Sequence, residues 1–369
     1  MTLSQAEAFA RIRLLRSPNI GPVTYRQLLT RFGTAAAALD AAPLLTAKGR
    51  RKLTVAASEQ IHREVERMRG LGAKYLFHDD PLFPALLNEY TGGPPIITYL
   101  GDAALLARPS VAIVGARNAS AAALRLARDF GHALATQGRL VVSGLARGID
   151  GAAHAGALSG GAGRQGGTCA VIAGGIDVIY PPQHADLQRR IAEEGIVIAE
   201  HPPGVEPQAR HFPGRNRIIA GLCAGTLVVE AAPRSGSLIT ARMAAEAGRE
   251  VMALPGSPLD GRARRCNQLI REGATLIQTP EEVAELLDSF TGSARMIFRE
   301  QPKVGIEASM PRDDALGAIT DLLSAAPVGV DELIRTSGTS ASAVHTVLLE
   351  LELAGRLERH AGAKVSIVN

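Results

Sequence analysis

Seven short runs of β-branched and apolar residues punctuate the middle of the chain: SVAIVG from Ser110, RLVVSG from Arg139, TCAVIAGG from Thr168, GIVIAE from Gly195, GTLVVEA from Gly225, EVMALPG from Glu250 and ATLIQ from Ala274. Ala-rich stretches of helical character separate them. A strand this uniformly apolar must be covered on both faces, and intervening helices supply the cover. The pattern therefore predicts an α/β fold built on a doubly wound parallel sheet. Ligands of such sheets sit beyond the carboxyl ends of the strands. The segments to read for function are thus GAR (115–117), GLARGID (144–150), EHPPG (200–204), APRSGS (232–237) and PGSP (255–258).

A chain of 369 residues exceeds the usual size of one core, so flanking domains are expected. Residues 1–73 read as a helical, hairpin-like (SAM-like) domain. In it Tyr25, Leu28, Leu29 and Phe32 share one helix face that Gly33 terminates, and Ile61, Val65 and Met68 repeat the pattern. NIGPVTYRQLL is read as part of a packing module, with a phosphate-binding hairpin as the alternative. The sheet domain is placed at 74–290, a linker rich in Gly, Ser and Pro at 291–312, and a winged-helix-like module of three helices and a two-stranded ribbon at 313–369.

Charge divides along the same lines. The tail from Asp313 holds eight acids against four bases, a net −4, so the rest of a +4 chain carries +8. A basic body favours a polyanionic partner. The presumed recognition helix of the tail is expected to expose Ser340, Ser342, His345, Glu350 and Glu352, with no base before Arg356. A reader of a DNA groove needs cations at the phosphates, so this helix reads as a protein-interaction or intramolecular docking element.

Several chemistries are excluded. No lysine precedes Ser or Thr, so the phosphate-loop signature of conventional ATPases is absent. VGARNAS offers one glycine where a dinucleotide fingerprint needs three. There is no H-E-x-x-H and no G-x-S-x-G. Nine histidines are scattered without ligand spacing, and Cys169, Cys223 and Cys266 lie far apart, reading as reduced buried thiols. Asp150 and His154 lie four apart on one helix face, the spacing of an acid–base pair, but a helix-start carboxylate and a structural imidazole are the favoured account. No metal or cofactor is called for. The apolar runs are too short and glycine-broken to span a bilayer, and no leader pattern opens the chain, so a cytoplasmic protein is expected.

The strand ends hold small residues and arginines instead of nucleophiles. Gly144 and Gly148 border Arg147 where a helix begins, an arrangement that aims backbone N–H groups, helix dipole and guanidinium at an anion. Ser235, Gly236 and Ser237 open another helix in the same way, and Arg117 follows the first strand. RHFPGRNRIIAGL then sets Phe212 among Arg210, Arg215 and Arg217, with Pro213 and Gly214 as a turn and Asn216 as a polar contact. Aromatic residues make up only 4% of the chain, yet one stands in its most cationic short segment. A cationic track with a ring on which a base can stack is what single-stranded nucleic acid requires.

These motifs resemble the DNA-processing protein A family (DprA, or Smf). The match runs through FPALLNEYTGGPPIITYLGD, VAIVGARNAS, VVSGLARGIDGAAHAGAL, VIAGGIDVIYPPQHADL, HFPGRNRIIAGL, LVVEAAPRSGSLITARMAAEAGREVMALPG and CNQLIREGA. The resemblance implies an extended Rossmann-like domain with an N-terminal helical domain and a C-terminal winged helix. It further implies a non-enzymatic protein that binds single-stranded DNA, forms a homodimer through the Rossmann-like domain and loads RecA recombinase during natural transformation. The family pocket maps onto Arg117, Arg147, Phe212, Arg215, Asn216 and Arg217, with RSGS (234–237) and Asn267 in support. Alanine substitution of Arg147 or Arg217 is accordingly expected to flatten the salt dependence of DNA binding by about one charge. The chain departs from the family in a glycine-rich insert at 159–167 and in Ala209, where a basic residue is common.

Two rival readings remain at this point. Nucleoside-monophosphate phosphoribohydrolases share GAR and a Gly-rich turn after VVE, but their signature ends in a catalytic Glu where this chain has Thr240 and Ala241; Glu230 is the nearest carboxylate. A duplex-binding regulator acting through the winged helix is disfavoured by that module's negative charge.

Overall fold

The computed structural model describes residues 3–45, 54–161, 166–231, 235–297, 313–324, 326–360 and 363–368. It divides into two units, Glu64–Glu300 and the combination of Met1–Arg63 with Gln301–Asn369.

The chain opens with helices α1 (Gln5–Leu15), α2 (Pro22–Phe32), α3 (Ala35–Leu45) and α4 (Ser58–Gly70). Pro22 begins α2 where its missing N–H costs nothing, and Gly33 ends it at a φ of 76°. The periodic face is the buried one: Tyr25, Leu28 and Leu29 are buried and Phe32 half-buried. On α4, Ile61 and Met68 are buried and Val65 half-buried. Glu64 is buried too, which its charge did not suggest, and it accepts a 3.1 Å hydrogen bond from the Tyr75 hydroxyl.

The second unit is built on strands β1 (Lys74–Phe77), β2 (Ile96–Gly101), β3 (Ser110–Val114), β4 (Leu140–Ser143), β5 (Gly167–Gly175), β6 (Ile196–His201), β7 (Gly225–Val228), β8 (Glu250–Ala253) and β9 (Thr275–Leu276). Their order is β1-β2-β6-β5-β4-β3-β7-β8-β9. All seven apolar runs of the sequence are strands, and neighbours among them pair in parallel. The sheet is not wholly parallel, however. β1 and β2 extend it antiparallel beyond β6.

Helices α5 (Ala85–Glu89), α6 (Ala121–Thr136), α7 (Ile149–Gly161), α8 (Ala185–Glu194), α9 (His211–Leu222), α10 (Gly236–Glu246), α11 (Arg264–Arg271) and α12 (Pro280–Ile297) complete this unit. β3 shows how both sheet faces are filled. Ala112 and Val114 pack in one cluster with Ile218, Ile219 and Leu222 of α9, while Val111 and Ile113 pack in another with Phe130 and Leu134 of α6. Successive side chains of a strand point to opposite faces, so an uninterrupted apolar run serves two helical layers at once. α12 continues to Ile297, past residue 291 where the sequence placed the start of a linker; the remainder of that segment lies outside the described residues.

The C-terminal segment folds as α13 (Asp313–Asp321), β10 (Val328–Gly329), α14 (Val330–Ser337), α15 (Ala341–Leu353), β11 (Leu357–His360) and β12 (Lys364–Ile367). β12 pairs with both β11 and β10, so the wing has a third, two-residue strand beyond the expected ribbon. Ser340 caps α15 by accepting from the Ala343 N–H at 3.2 Å. His345 is exposed as expected, but Glu350 and Glu352 are half-buried. Glu350 faces Arg31 at 3.4 Å, and Glu352 accepts from Thr24 at 3.2 Å and from Arg359 at 2.9 Å. Carboxylates partly shielded from water take on cationic and hydroxyl partners, and here those partners come from α2 and the wing.

His154 of α7 is fully buried. Thr168 Oγ1 donates to Val141 O at 2.8 Å, so at its 2.7 Å contact with His154 Nδ1 it accepts. The imidazole is therefore the neutral Nδ1–H tautomer, a structural role and not half of an acid–base pair. Burial, followed by the charges of His184 and Arg215, pulls its pKa from 6.5 down to about 3. A base kept neutral in the fold but free to protonate when unfolded stabilises fully above pH 6.5, and that stability is lost as pH falls toward 3. We expect urea unfolding of the wild type to weaken more steeply with acidification below pH 6.5 than that of His154→Gln, by up to about one proton. Parallel slopes would contradict the assignment.

Candidate nucleic-acid interface

The chain winds outward from β3 through β4 and β5 to β6, then crosses back to lay β7 on the other side of β3. The connections on either side of β3 therefore diverge in opposite directions, leaving a crevice at the strands' carboxyl ends. A cleft of about 760 Å³ opens there. The end of β3 (Val114–Asn118), Ala146 after β4, Tyr180 after β5, Pro207 and Ala209 after β6, one face of α9 and the start of α10 line it.

Phe212 lies in this lining and is half-buried, not sealed in the core. The Arg117 guanidinium sits 5.2 Å from its ring centroid and that of Arg215 at 5.9 Å. The Tyr180 ring lies 5.6 Å from that of Phe212, tilted by 59°. The sequence did not single out Tyr180 as a site residue; its place just after a parallel strand was the available signal.

Arg215 differs from the expected surface cation. It is 7% exposed, and its Nη1 donates to Val171 O at 3.1 Å beneath the cleft. Burial lowers its pKa to about 10, Arg117 pushing the same way and the Asp150 carboxylate opposing. Asp150 in turn accepts from the N–H groups of Gly144 (3.2 Å) and Ala146 (3.3 Å), fixing the GLARGID turn. Burial raises its pKa, and the charge of Arg215 and those N–H bonds oppose the rise. Gly148 completes the turn at a φ of 80°, where an added Cβ would fall 2.2 Å from Ala116 O. Gly144 and Gly148 are themselves outside the cleft lining and act by holding this turn.

The other expected residues divide. Asn216 is buried at the cleft, its Nδ2 donating to Gly236 O at 3.3 Å. Ser235 caps α10, and its hydroxyl lies 2.7 Å from that of Ser237; both line the cleft with Gly236. Arg147 and Arg210 are exposed but outside the lining. Asn267 holds the loop after β8 through both Gly256 backbone groups, 3.1 and 2.8 Å away, and is also outside it. Arg234 lies outside the described residues.

Arg217 requires correction. Its guanidinium turns to Gly92 O and to both oxygens of Glu200, at 2.5 and 2.6 Å, and does not line the cleft. The reason is local: residues 213–214, expected as a turn, are helical, because α9 already begins at His211 with Pro213 tolerated in its first turn. Five residues along a helix rotate a side chain about 140° from Phe212, onto another face. The expectation for Arg217 therefore changes. Arg217→Ala should lower the melting temperature and leave the salt slope of DNA binding unaltered, whereas Arg117→Ala should reduce that slope by about one. Equal slopes in both variants would remove Arg117 from the phosphate track.

Glu230, the one carboxylate considered for catalysis, accepts from Ser120 N at 3.1 Å and Ser120 Oγ at 2.7 Å and is outside the cleft lining. It orients the loop into α6. Cys169, Cys223 and Cys266 are buried free thiols whose pKa values burial raises. No helix among the described residues is long and apolar enough to cross a membrane.

Comparison with known proteins places this geometry. A family profile described as DNA recombination-mediator protein A matches residues 74–288, flanked by a DprA-like N-terminal HHH domain at 5–66 and a DprA winged helix domain at 306–363. Protein Smf of Synechocystis is 35% identical over 319 residues, covering 79% of each chain. DNA processing protein DprA of Streptococcus pneumoniae is 45% identical over 204 residues, 55% of this chain and 71% of the relative. The X-ray structure of the Streptococcus pneumoniae protein superposes with a TM-score of 0.63 at 32% identity, over 77% of this chain and 98% of that one. A structure of DNA processing protein A from Helicobacter pylori, described for its single-stranded DNA binding mode, gives a TM-score of 0.50 at 25% identity, over 60% and 96% of the two chains.

Proposed function

Since this chain belongs to the DNA recombination-mediator protein A family, we propose that its cleft between β3 and β7 binds single-stranded DNA without performing chemistry on it. A DNA-processing role follows from the membership itself. The observation that carries the single-strand reading is the half-exposed Phe212 ring with the Arg117 and Arg215 guanidiniums 5.2 and 5.9 Å from its centroid at a strand-end crevice. A base stacks on the ring, displacing the exposed Arg117 guanidinium toward the adjoining phosphate. The N-terminus of α10, with the Ser235 and Ser237 hydroxyls, receives a second phosphate. Arg215 holds the floor in place and contributes its charge from below.

The Helicobacter pylori relative's described binding mode supports this reading. The engagement of Glu230 by Ser120 argues against the phosphoribohydrolase alternative, because a catalytic carboxylate must reach the ligand. The proposal extends, on the family resemblance, to homodimerisation through the sheet domain and to loading of RecA onto the bound strand, in the cytoplasm during natural transformation; the family's description as a recombination mediator accords with a role in recombination. Fluorescence anisotropy of the full chain with an oligothymidylate and with a duplex of equal length tests the core of the proposal. Tighter binding of the single strand is expected, and no release of base from AMP. Preference for the duplex, or base release, would overturn it.

A further inference from the structure

Among the exposed large hydrophobic residues of the described chain, Ile179 and Tyr180, 50% and 43% exposed, are the only consecutive pair. Their loop is firmly mounted. The Val178 N–H donates to Gly175 O at 2.9 Å, and Val178 O accepts from Gln188 Nε2 at 3.1 Å. Asp177 accepts from the Gly204 N–H at 2.7 Å and pairs with Arg67 at 2.5 Å. A loop anchored on all sides that still holds an aromatic ring and an aliphatic chain out to water marks a contact surface.

We infer that Tyr180 is a second base platform, and that the angle between it and Phe212 makes the cleft select strand steps that unstack easily. The inference rests on the reading of the cleft as a single-strand site. Both rings line one cleft, and their planes are inclined by 59°. Two successive bases that lie flat on these rings cannot stay parallel to one another, so the strand must give up the stacking between them. Purine steps lose more by this than thymine steps do, and preferences among single strands arise from such differences in stacking. The ligand class is therefore a pyrimidine-rich single strand kinked at the Phe212–Tyr180 step, with Ile179 covering the rim.

The test is anisotropy of the full chain with labelled oligothymidylate and oligodeoxyadenylate of one length. The wild type should favour thymidylate. Tyr180→Ala should weaken thymidylate binding by roughly five-fold or more and draw the two affinities together, while Tyr180→Phe keeps both affinity and preference. Equal wild-type affinities would overturn the inference. So would a Tyr180→Ala protein with unchanged affinity and preference while Phe212→Ala still binds weakly; that pattern leaves the cleft reading intact. Unaltered binding by Phe212→Ala would instead remove the cleft reading and this inference with it.

Discussion

Phe212→Ala is expected to weaken single-stranded DNA binding by about 1–3 kcal/mol, roughly five- to 150-fold, the range for loss of one base–aromatic stack. The ring is half-buried against Tyr180, Arg117 and Arg215, so its removal opens the cleft wall without excavating the core. Folding stability should change much less than affinity. Phe212→Leu sharpens the result, because it keeps apolar volume but has no flat face. Leucine should bind nearly as weakly as alanine if stacking is the interaction, and nearly as well as phenylalanine if the ring merely fills space. Anisotropy titrations with parallel thermal melts distinguish these outcomes.

Gly144→Ala carries a large expected cost to the fold, transmitted through one buried arginine. The new Cβ would stand 1.4 Å from Arg215 Nη1 and 2.4 Å from its Cζ. The tip of an arginine usually swings aside cheaply, but this one is 93% buried by its 7% exposure and held by Val171 O. Eviction breaks a charge-assisted bond inside the fold, at about 1–3 kcal/mol, in addition to about 1–3 kcal/mol for overpacking. A loss of about 3 kcal/mol should lower the melting temperature by roughly 5–12 °C. Single-strand binding should fall with it, since Arg215 also underlies Phe212. The cause is checked by a double-mutant cycle. Adding Gly144→Ala to Arg215→Ala should cost little more than Arg215→Ala alone, because the clashing group is gone. Full additivity would mean that the glycine serves some other purpose.

The parallel core of the sheet was legible in the sequence because strands covered on both faces leave an unbroken apolar run. The antiparallel pair β1 and β2 was not: strand KYLF buries only Leu76, and the buried start of β2, Ile96 to Thr98, carries no sign of strand direction. A cleft does open at the strand ends, and Phe212, Asn216, Ser235, Gly236, Ser237 and Arg117 converge in its lining. The arginines of RHFPGRNRIIAGL were harder, because composition shows charge but not direction. Helical period would have separated them: Phe212, Arg215, Asn216 and Ile219 share the cleft face, and Arg217 falls outside it. Reading Pro213 and Gly214 as a turn hid that period. Glu350 and Glu352 were misjudged for a different reason. Their partners Arg31 and Thr24 lie more than 300 residues away, and no local pattern reports such a contact.

Contact between a base and the Phe212 ring inside the β3–β7 cleft is the one event that single-strand binding at this site requires. Photocrosslinking of the full chain to an oligothymidylate carrying 5-iodouracil, followed by peptide mapping, reads that contact directly. Adducts on Phe212, with Tyr180 as the next site, are the predicted result. Adducts confined to the winged helix or to the N-terminal helices, with the cleft unmarked, would contradict it.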